Sequence, residues 1–242
     1  MKAAPFWRAV LDFFLPAKCP LCGLSPDSST PDQPCSTCLS QIRFFSSPRC
    51  FRCGIGFASP SDVDHLCSQC LTEERHFRRA RAVCGYEGII MDAISRLKYG
   101  GLTRLAGPLG NLLAEYQDPD FSLSDNNLII PVPLHTRRLQ ERGFNQSLLL
   151  ARQVSRRRSI PLNFTALHRA RQTQPQTQLS GAERRKNVRG AFEVRQAEVV
   201  GGKRILLIDD VFTTGATVQE CASVLGEAGA SEVHVLTLAR VA

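Results

Sequence analysis

The chain has 242 residues, a length that fits one medium-sized domain together with one small module. Its hydrophobic content of 43% is sufficient for a packed core, and its net charge of +8 favours partners that carry negative charge. No run of roughly 18 apolar residues occurs, which excludes a membrane-spanning protein and predicts no membrane insertion. We therefore expect a soluble, cytoplasmic protein.

The first 18 residues predict a short amphipathic helix. Residues 6–15 are apolar enough to suggest a secretory signal, but Arg8 and Asp12 interrupt the run. No small-residue cleavage site follows before Cys19, so a signal peptide is disfavoured. Apolar residues at helical spacing indicate one buried face instead.

Cysteine spacing predicts a metal-binding module over residues 19–71. Eight of the ten cysteines form four Cys-x-x-Cys pairs, and gaps of twelve and thirteen residues separate the pairs within each successive set of four. These spacings match zinc ribbons, in which two tight knuckles hold one tetrahedral ion. Two structural zinc ions are predicted, with sequential ligand sets of Cys19, Cys22, Cys35 and Cys38, then Cys50, Cys53, Cys67 and Cys70.

The cysteine spacing leaves other arrangements open. A cross-braced module would join alternate pairs, and thiolates also serve in disulfides or iron–sulfur clusters. The segment has too few apolar residues for a core of its own, so metal binding should supply most of its folding energy, on the order of 10 to 16 kcal/mol for small zinc peptides.

Strands and helices alternate after a charged connector over residues 72–81, and residues 80–242 are expected to form one α/β domain. This alternation predicts a doubly wound parallel sheet with helices on both faces. A mobile loop is expected over 172–180. The predicted strands are 82–86, 128–132, 160–164, 192–194, 205–208 and 233–238, and the predicted helices are 89–98, 102–116, 145–157 and 217–228.

A basic segment follows the predicted strand at 128–132. Between Leu134 and Arg195 there are fourteen lysines and arginines against three glutamates. Arg137, Arg138 and Arg142 come just after the strand end, where charge-assisted donors can converge on a pyrophosphate group. A solvated surface loop is the alternative explanation for these arginines.

The most informative segment is residues 205–217, in which an apolar strand ends in Asp209 and Asp210. Ligands of parallel sheets bind beyond the carboxyl ends of the strands, where these carboxylates can accept hydrogen bonds from ribose hydroxyls and help order a magnesium shell. The turn that follows offers backbone N–H groups and a helix N-terminus to an anion. The segment therefore predicts a site for a ribose 5-phosphate, with turn residues Val211, Thr213, Thr214, Gly215, Ala216 and Thr217.

This segment resembles the signature of type I phosphoribosyltransferases, which bind phosphoribosyl pyrophosphate (PRPP). Over nearly the whole chain the resemblance narrows to the competence-associated ComF family. It rests on the paired cysteines, on segments 97–100 and 131–133 with Arg138 and 142–146, on Thr173, Gln176, Leu179, Arg184, Asn187 and 190–192, and on segment 209–217.

The resemblance implies a type I phosphoribosyltransferase-like domain joined to a double zinc ribbon. Asp209 and Asp210 would then contact the ribose hydroxyls, and the 213–217 turn would hold the 5-phosphate of PRPP. Residues 171–179 would correspond to the loop that closes over the site in related transferases. Members of this family are linked to natural transformation and to the handling of single-stranded DNA.

Two functions follow. As an enzyme, the protein would displace magnesium pyrophosphate from C1 of PRPP, with Asp209 and Asp210 orienting the ribose. Stabilisation of the leaving group would come from Arg137, Arg138, Arg142 and Lys98. In that role we expect a link to DNA uptake, natural transformation or nucleotide metabolism, with single-stranded DNA or DNA-uptake proteins as further partners. As a non-catalytic accessory protein, it would instead sense PRPP or bind single-stranded DNA. The sequence does not identify an acceptor.

Overall fold

The computed structural model describes residues 18–25, 33–57, 63–173 and 181–241. The predicted N-terminal helix and most of the predicted 172–180 loop lie outside these ranges. No helix within them combines the length and apolar character needed to cross a bilayer.

A parallel sheet organises the fold and sets the position of the site. Its strands are β1 (Arg79–Gly85), β2 (Leu128–Pro131), β5 (Arg204–Phe212) and β6 (Glu232–Arg240). In the described part of the chain the sheet has the order β1-β6-β5-β2, and every neighbouring pair is parallel. All four carboxyl ends therefore meet at one edge.

Helices cover both faces of the sheet, as the sequence predicts. Leu206 and Ile208 of β5 pack in one hydrophobic cluster with helices α3 (Gly88–Tyr99), α4 (Ala106–Ala114) and α6 (Gln146–Arg158). Ile205 and Leu207 pack in a second cluster with α9 (Ala216–Glu227). This burial on both faces explains why β5 is continuously apolar in sequence.

Two expectations from the sequence are corrected. The surface loop that is the alternative explanation for the basic segment after β2 does not form, because Thr136–Arg142 form helix α5. The predicted strand at 160–164 is reduced to a single bridge between Leu162 and Ile129. Pro161 has no N–H to donate, and the chain instead forms β3 at Leu167–Arg169.

Strand β3 pairs antiparallel with β4 (Phe192–Val194) in a separate two-stranded ribbon, outside the parallel sheet. The remaining described helices are α1 (Ser36–Ser40), α2 (Ser68–Thr72), α7 (Gly181–Val188) and α8 (Ala197–Val200), with 3₁₀ turns at Thr103–Leu105 and Leu123–Asp125. The 3₁₀ turn at 103–105 shortens the helix that the sequence predicts over 102–116.

The cysteine module shares the two cores of the α/β fold. Cys19 and Cys38 belong to the cluster on the α6 face of the sheet, whereas Cys50 and Cys53 belong to the cluster on the α9 face. The module therefore packs tightly against the sheet, and this sharing agrees with its shortage of apolar residues.

Candidate functional site

Among the described residues, a cavity of about 660 Å³ opens at the carboxyl edge of the parallel sheet. Its volume lies within the range of roughly 300–1,000 Å³ that is usual for small-molecule sites. Five cationic side chains and three carboxylates line it, so the cavity suits an anionic ligand. The cationic residues are Lys98, Arg137, Arg138, Arg142 and Arg169, and the acidic ones are Glu141, Asp209 and Asp210.

Asp209 lies at the cavity floor and contacts the first turn of α6. Its Oδ1 accepts hydrogen bonds from the Ser147 hydroxyl at 2.7 Å and from the backbone N–H of Asp210 at 2.9 Å. Burial and the neighbouring charge of Asp210 raise the pKa of Asp209 to about 7. This carboxyl group can therefore change its protonation state near neutral pH.

Asp210 is held in the opposite electrostatic state by a hydrogen-bonded network. Its carboxylate forms an ion pair with Lys98 of α3 and accepts a hydrogen bond from Gln146 Nε2 at 3.3 Å. Burial alone would raise the pKa of Asp210, but the Lys98 charge outweighs burial and lowers it. The same pairing raises the pKa of Lys98 against the opposing effect of burial. Asp210 is thus ionised while Asp209 titrates.

The turn after β5 supplies the start of α9 to the cavity. Gly215 is the N-cap residue and has a φ of +77°, a left-handed conformation that favours glycine. The Thr214 hydroxyl accepts a hydrogen bond from the backbone N–H of Ala216 at 3.4 Å. Because the first turn of any helix has N–H groups without intrahelical acceptors, this end of α9 suits an anion. Thr213, Gly215, Ala216 and Thr217 line the cavity with Val211, and Thr214 supports the turn.

Helix α5 carries three arginines along the cavity wall. It begins at the N-cap His135, whose Nδ1 accepts from the backbone N–H of Arg137 at 3.3 Å, and it ends at Gly143 with a φ of +79°. Arg137 also forms an exposed ion pair with Glu141 at 3.1 Å. Arg142 donates to Gln146 Oε1 at 2.6 Å, and burial lowers its pKa.

Segment 143–147 joins these parts, and sequence reasoning did not assign Gln146 or Ser147 to the site. Asn145 caps α6, because its Oδ1 accepts from the backbone N–H of Ser147 at 2.9 Å. Its Nδ2 donates to the Val132 carbonyl at 3.0 Å and so ties the helix to the end of β2. The segment therefore aims Gln146 at Asp210 and Ser147 at Asp209. The Gly-Phe-Asn-Gln motif was the available sequence signal.

Arg169 is a second cavity residue that sequence reasoning did not assign. Its guanidinium lies 5.2 Å from the Phe192 ring centroid and donates to the Thr173 hydroxyl. Burial lowers its pKa, and its Nε is buried without a hydrogen-bond partner among the described residues. No described carboxylate forms an ion pair with it. A buried guanidinium of this kind favours an incoming anion.

The eight paired cysteines form two tetrads, each suited to one metal ion. Within each tetrad every sulfur lies within 4.8 Å of the others, in the sequential grouping 19-22-35-38 and 50-53-67-70. Separations of 3.6 Å for Cys19–Cys38 and 3.8 Å for Cys53–Cys67 match the spacing of about 3.8 Å that four sulfurs about 2.3 Å from a tetrahedral zinc adopt. All ten cysteines are free of disulfides. The cross-braced and disulfide alternatives are therefore wrong.

Two family matches cover the two parts of the chain. Residues 145–242 match the phosphoribosyl transferase domain family, and residues 10–73 match the double zinc ribbon domain family. The second match, together with the tetrads, indicates two zinc sites.

Relatives extend over most of the chain. The DNA utilization protein YhgH of Escherichia coli strain K12 is 34% identical across 85% of this chain and 89% of its own. Competence protein F of Haemophilus influenzae is 32% identical across 85% of this chain and 90% of the relative. Competence protein ComFC of Bacillus subtilis is 28% identical across 90% of this chain and 86% of the relative.

Solved structures with partial similarity include glutamine phosphoribosylpyrophosphate amidotransferase from B. subtilis, complexed with ADP and GMP. It is 28% identical with a TM-score of 0.36, over 53% of this chain and 25% of that chain. Leishmania donovani UMP synthase is 21% identical with a TM-score of 0.30, over 60% of this chain and 24% of that chain.

Proposed function

The chain belongs to the ComF family, and on this premise we propose that it binds PRPP with magnesium in the cavity at the carboxyl edge of the sheet. One observation carries the proposal: the acidic pair, the start of α9 and the arginines of α5 line a single cavity. These groups match the ribose hydroxyls, the 5-phosphate and the pyrophosphate of PRPP in chemistry.

In the proposed complex, the 213–217 turn binds the 5-phosphate through its backbone N–H groups. Asp209 and Asp210 accept hydrogen bonds from the ribose hydroxyls, and the bound magnesium offsets pyrophosphate charge. Lys98 neutralises Asp210 in the ligand-free protein. In the complex, Asp209 and Asp210 would help hold magnesium, and Lys98 would then be available to the pyrophosphate.

The chemistry we propose is phosphoribosyl transfer. The bond from C1 to the pyrophosphate oxygen breaks and its electron pair stays on that oxygen. An acceptor nucleophile forms the new bond to C1 with its own lone pair and releases its proton to water. Positive charge develops on the ribose, so Asp209 and Asp210 stabilise it while Arg137, Arg138 and Arg142 stabilise the leaving group.

Turnover is tested with labelled PRPP, magnesium and a panel of acceptor bases and amines on zinc-loaded protein. We expect release of pyrophosphate that the double variant Asp209→Asn, Asp210→Asn abolishes. Release that survives the double change would contradict the assigned site. PRPP binding without release under any acceptor would favour a sensing role over catalysis.

A second candidate function is binding of single-stranded DNA, favoured by an exposed Phe164 with the Arg152 guanidinium 5.9 Å from its ring centroid. Such a pair can stack a base beside a phosphate. Three consecutive arginines, 156–158, follow at the end of α6. They contribute less to a DNA surface than their number suggests, because Arg157 donates to Asn111 at 2.9 Å and Arg158 to the Ala114 carbonyl at 2.5 Å.

DNA binding through a few phosphates predicts an affinity that falls steeply with salt, with a log–log slope of roughly −3 for about four contacts. A flat response would count against this function, and Phe164→Ala should weaken binding without changing the slope. We expect either activity to operate in the cytoplasm, where metal-binding cysteines stay reduced.

A further inference from the structure

One of the contacts between the second cysteine tetrad and the sheet is made by a buried arginine at the end of β6. Arg240, the last residue of β6, is only 6% exposed. Its Nη1 donates to the Cys53 carbonyl at 2.8 Å, and its Nη2 lies 3.9 Å from the Cys53 sulfur. Arg240 therefore joins the end of a central strand to a predicted zinc ligand.

The tetrad is also the counter-charge of Arg240. Among the residues that the structure describes, no carboxylate lies within ion-pair distance of this guanidinium. A buried cation without a partner costs several kcal/mol. Four thiolates around one zinc ion carry a net negative charge, so a metal-loaded tetrad provides what Arg240 lacks.

Arg240 in turn packs on the residue that supports the phosphate turn. Its guanidinium lies 4.3 Å from the ring centroid of Phe212. The ring of Phe212 also lies directly against Gly215, since a β-carbon added to that glycine would be 2.5 Å from Phe212 Cζ. Phe77 closes the edge of the ring, with centroids 6.4 Å apart at 84°.

We propose that Arg240 and Phe212 are positioning residues that couple the second zinc site to the 213–217 turn. The folded, metal-loaded tetrad fixes Arg240, Arg240 holds the Phe212 ring, and the ring sets the left-handed backbone of Gly215. The zinc ribbon is then part of the sugar-phosphate site without touching the ligand. This inference rests on the proposed function, because the turn is taken to bind a 5-phosphate.

The first tetrad lacks a comparable link among the described residues. Its contact with the sheet domain runs from Arg96 of α3 to the Leu21 carbonyl at 2.6 Å, within the cluster on the α6 face. The two zinc sites should therefore differ in function. The first should affect mainly stability, and the second should affect both stability and phosphate binding.

The experiment compares Arg240→Met with Arg49→Met in the full zinc-loaded chain. Arg49 is a matched control, because it is also a buried arginine between the second ribbon and the sheet domain. It pairs with Asp118 at 2.7 Å, and that contact does not involve Phe212. Zinc content and thermal melting curves establish that both variants are folded. A third variant, Phe212→Leu, tests the contact between the Phe212 ring and Gly215.

Calorimetry with ribose 5-phosphate and separately with inorganic pyrophosphate is the first readout. Arg240→Met and Phe212→Leu should each weaken the affinity for ribose 5-phosphate about 10-fold, while the affinity for pyrophosphate stays within about 2-fold of the wild type. Arg49→Met should leave both affinities within about 2-fold. Equal effects of Arg240→Met and Arg49→Met on ribose 5-phosphate would overturn the inference.

Hydrogen exchange of the turn amides in ligand-free protein is the second readout. Arg240→Met should speed exchange in peptides covering 213–217 by about 10-fold, and Arg49→Met should not. A wild type that binds neither ribose 5-phosphate nor PRPP would refute the proposed function, while the exchange comparison would still decide the coupling. Unchanged exchange in Arg240→Met refutes the coupling alone.

Discussion

Gly215→Ala is the perturbation that probes the phosphate turn most specifically. The φ of +77° places Gly215 in the left-handed region, where a β-carbon costs about 1–2 kcal/mol. The new methyl would also lie 2.5 Å from Phe212 Cζ, so the ring or the turn must move. Overpacking of a buried contact costs about 1–3 kcal/mol. Together these effects predict a loss of about 2–5 kcal/mol in the free energy of unfolding.

Gly202→Ala is the matched control. Gly202 has a φ of +68°, but a β-carbon there would meet no heavy atom within 4 Å. This variant should therefore show only the conformational cost of about 1–2 kcal/mol. The difference between the two variants isolates the contact with Phe212.

Urea unfolding and calorimetry with ribose 5-phosphate provide the assay. Gly215→Ala should bind at least about 10-fold more weakly than the wild type, whereas Gly202→Ala should stay within about 2-fold. Equal stabilities for the two variants, with unchanged binding in both, would refute the structural account of the turn.

Three further predictions concern the acidic pair, the core and the cavity wall. Because the pKa of Asp209 is raised to about 7, its ionised form is lost as pH falls, and affinity for ribose 5-phosphate should increase from about pH 6 to about pH 8. In Asp209→Asn, the pH dependence of this affinity should reflect only the titration of the ligand. The same pH profile in the wild type and in this variant would contradict the role assigned to Asp209. Asp118→Ala should cost about 3–5 kcal/mol of unfolding free energy, because it leaves the buried Arg81 without a carboxylate partner and leaves Arg49 with only Asp64, at 3.6 Å. The exposed Glu193→Ala should cost less than about 1 kcal/mol, and similar losses for the two variants in urea unfolding would argue against this buried network. Arg169→Gln should weaken the affinity for pyrophosphate about 10-fold in calorimetry, because Arg169 lines the cavity, and the exposed Arg195→Gln should not. Equal affinities in the two variants would remove Arg169 from the site.

Local chemistry made part of the fold predictable from sequence. The apolar run 205–208 is buried on both faces as predicted, and strand β5 continues through Asp209 and Asp210 to Phe212. Cys-x-x-Cys spacing predicted the two tetrads, because each knuckle fixes two sulfurs within a few residues. In both cases the decisive residues are close together in the chain.

Elements that depend on distant partners were not predictable in the same way. Helix α5 has one apolar residue, Leu139, and therefore no periodic pattern; it depends on the His135 cap and the left-handed Gly143. The segment at 160–164 alternates like a strand, but Pro161 cannot donate and the Asn163 side chain accepts from the backbone N–H of Ala166 at 2.7 Å, which turns the chain.

The candidate site shows the same division. The acids and the phosphate turn are consecutive residues, so one segment of sequence indicated them together. Gln146 and Arg169 reach the cavity from α6 and β3, and the buried Ser147 of α6 reaches Asp209. Only the tertiary packing of these elements brings them to the acidic pair. The Gly-Phe-Asn-Gln motif marks Gln146, but nothing in the local spacing of Ser147 or Arg169 distinguishes them from ordinary helix and strand residues.

Calorimetric titration of magnesium PRPP into folded, zinc-loaded protein tests the central claim most directly. The account predicts saturable binding at one site per chain, weakened at least about 10-fold in the double variant Asp209→Asn, Asp210→Asn. Absence of any binding heat at several temperatures, in protein whose zinc content and melting curve show it to be intact, would contradict the account.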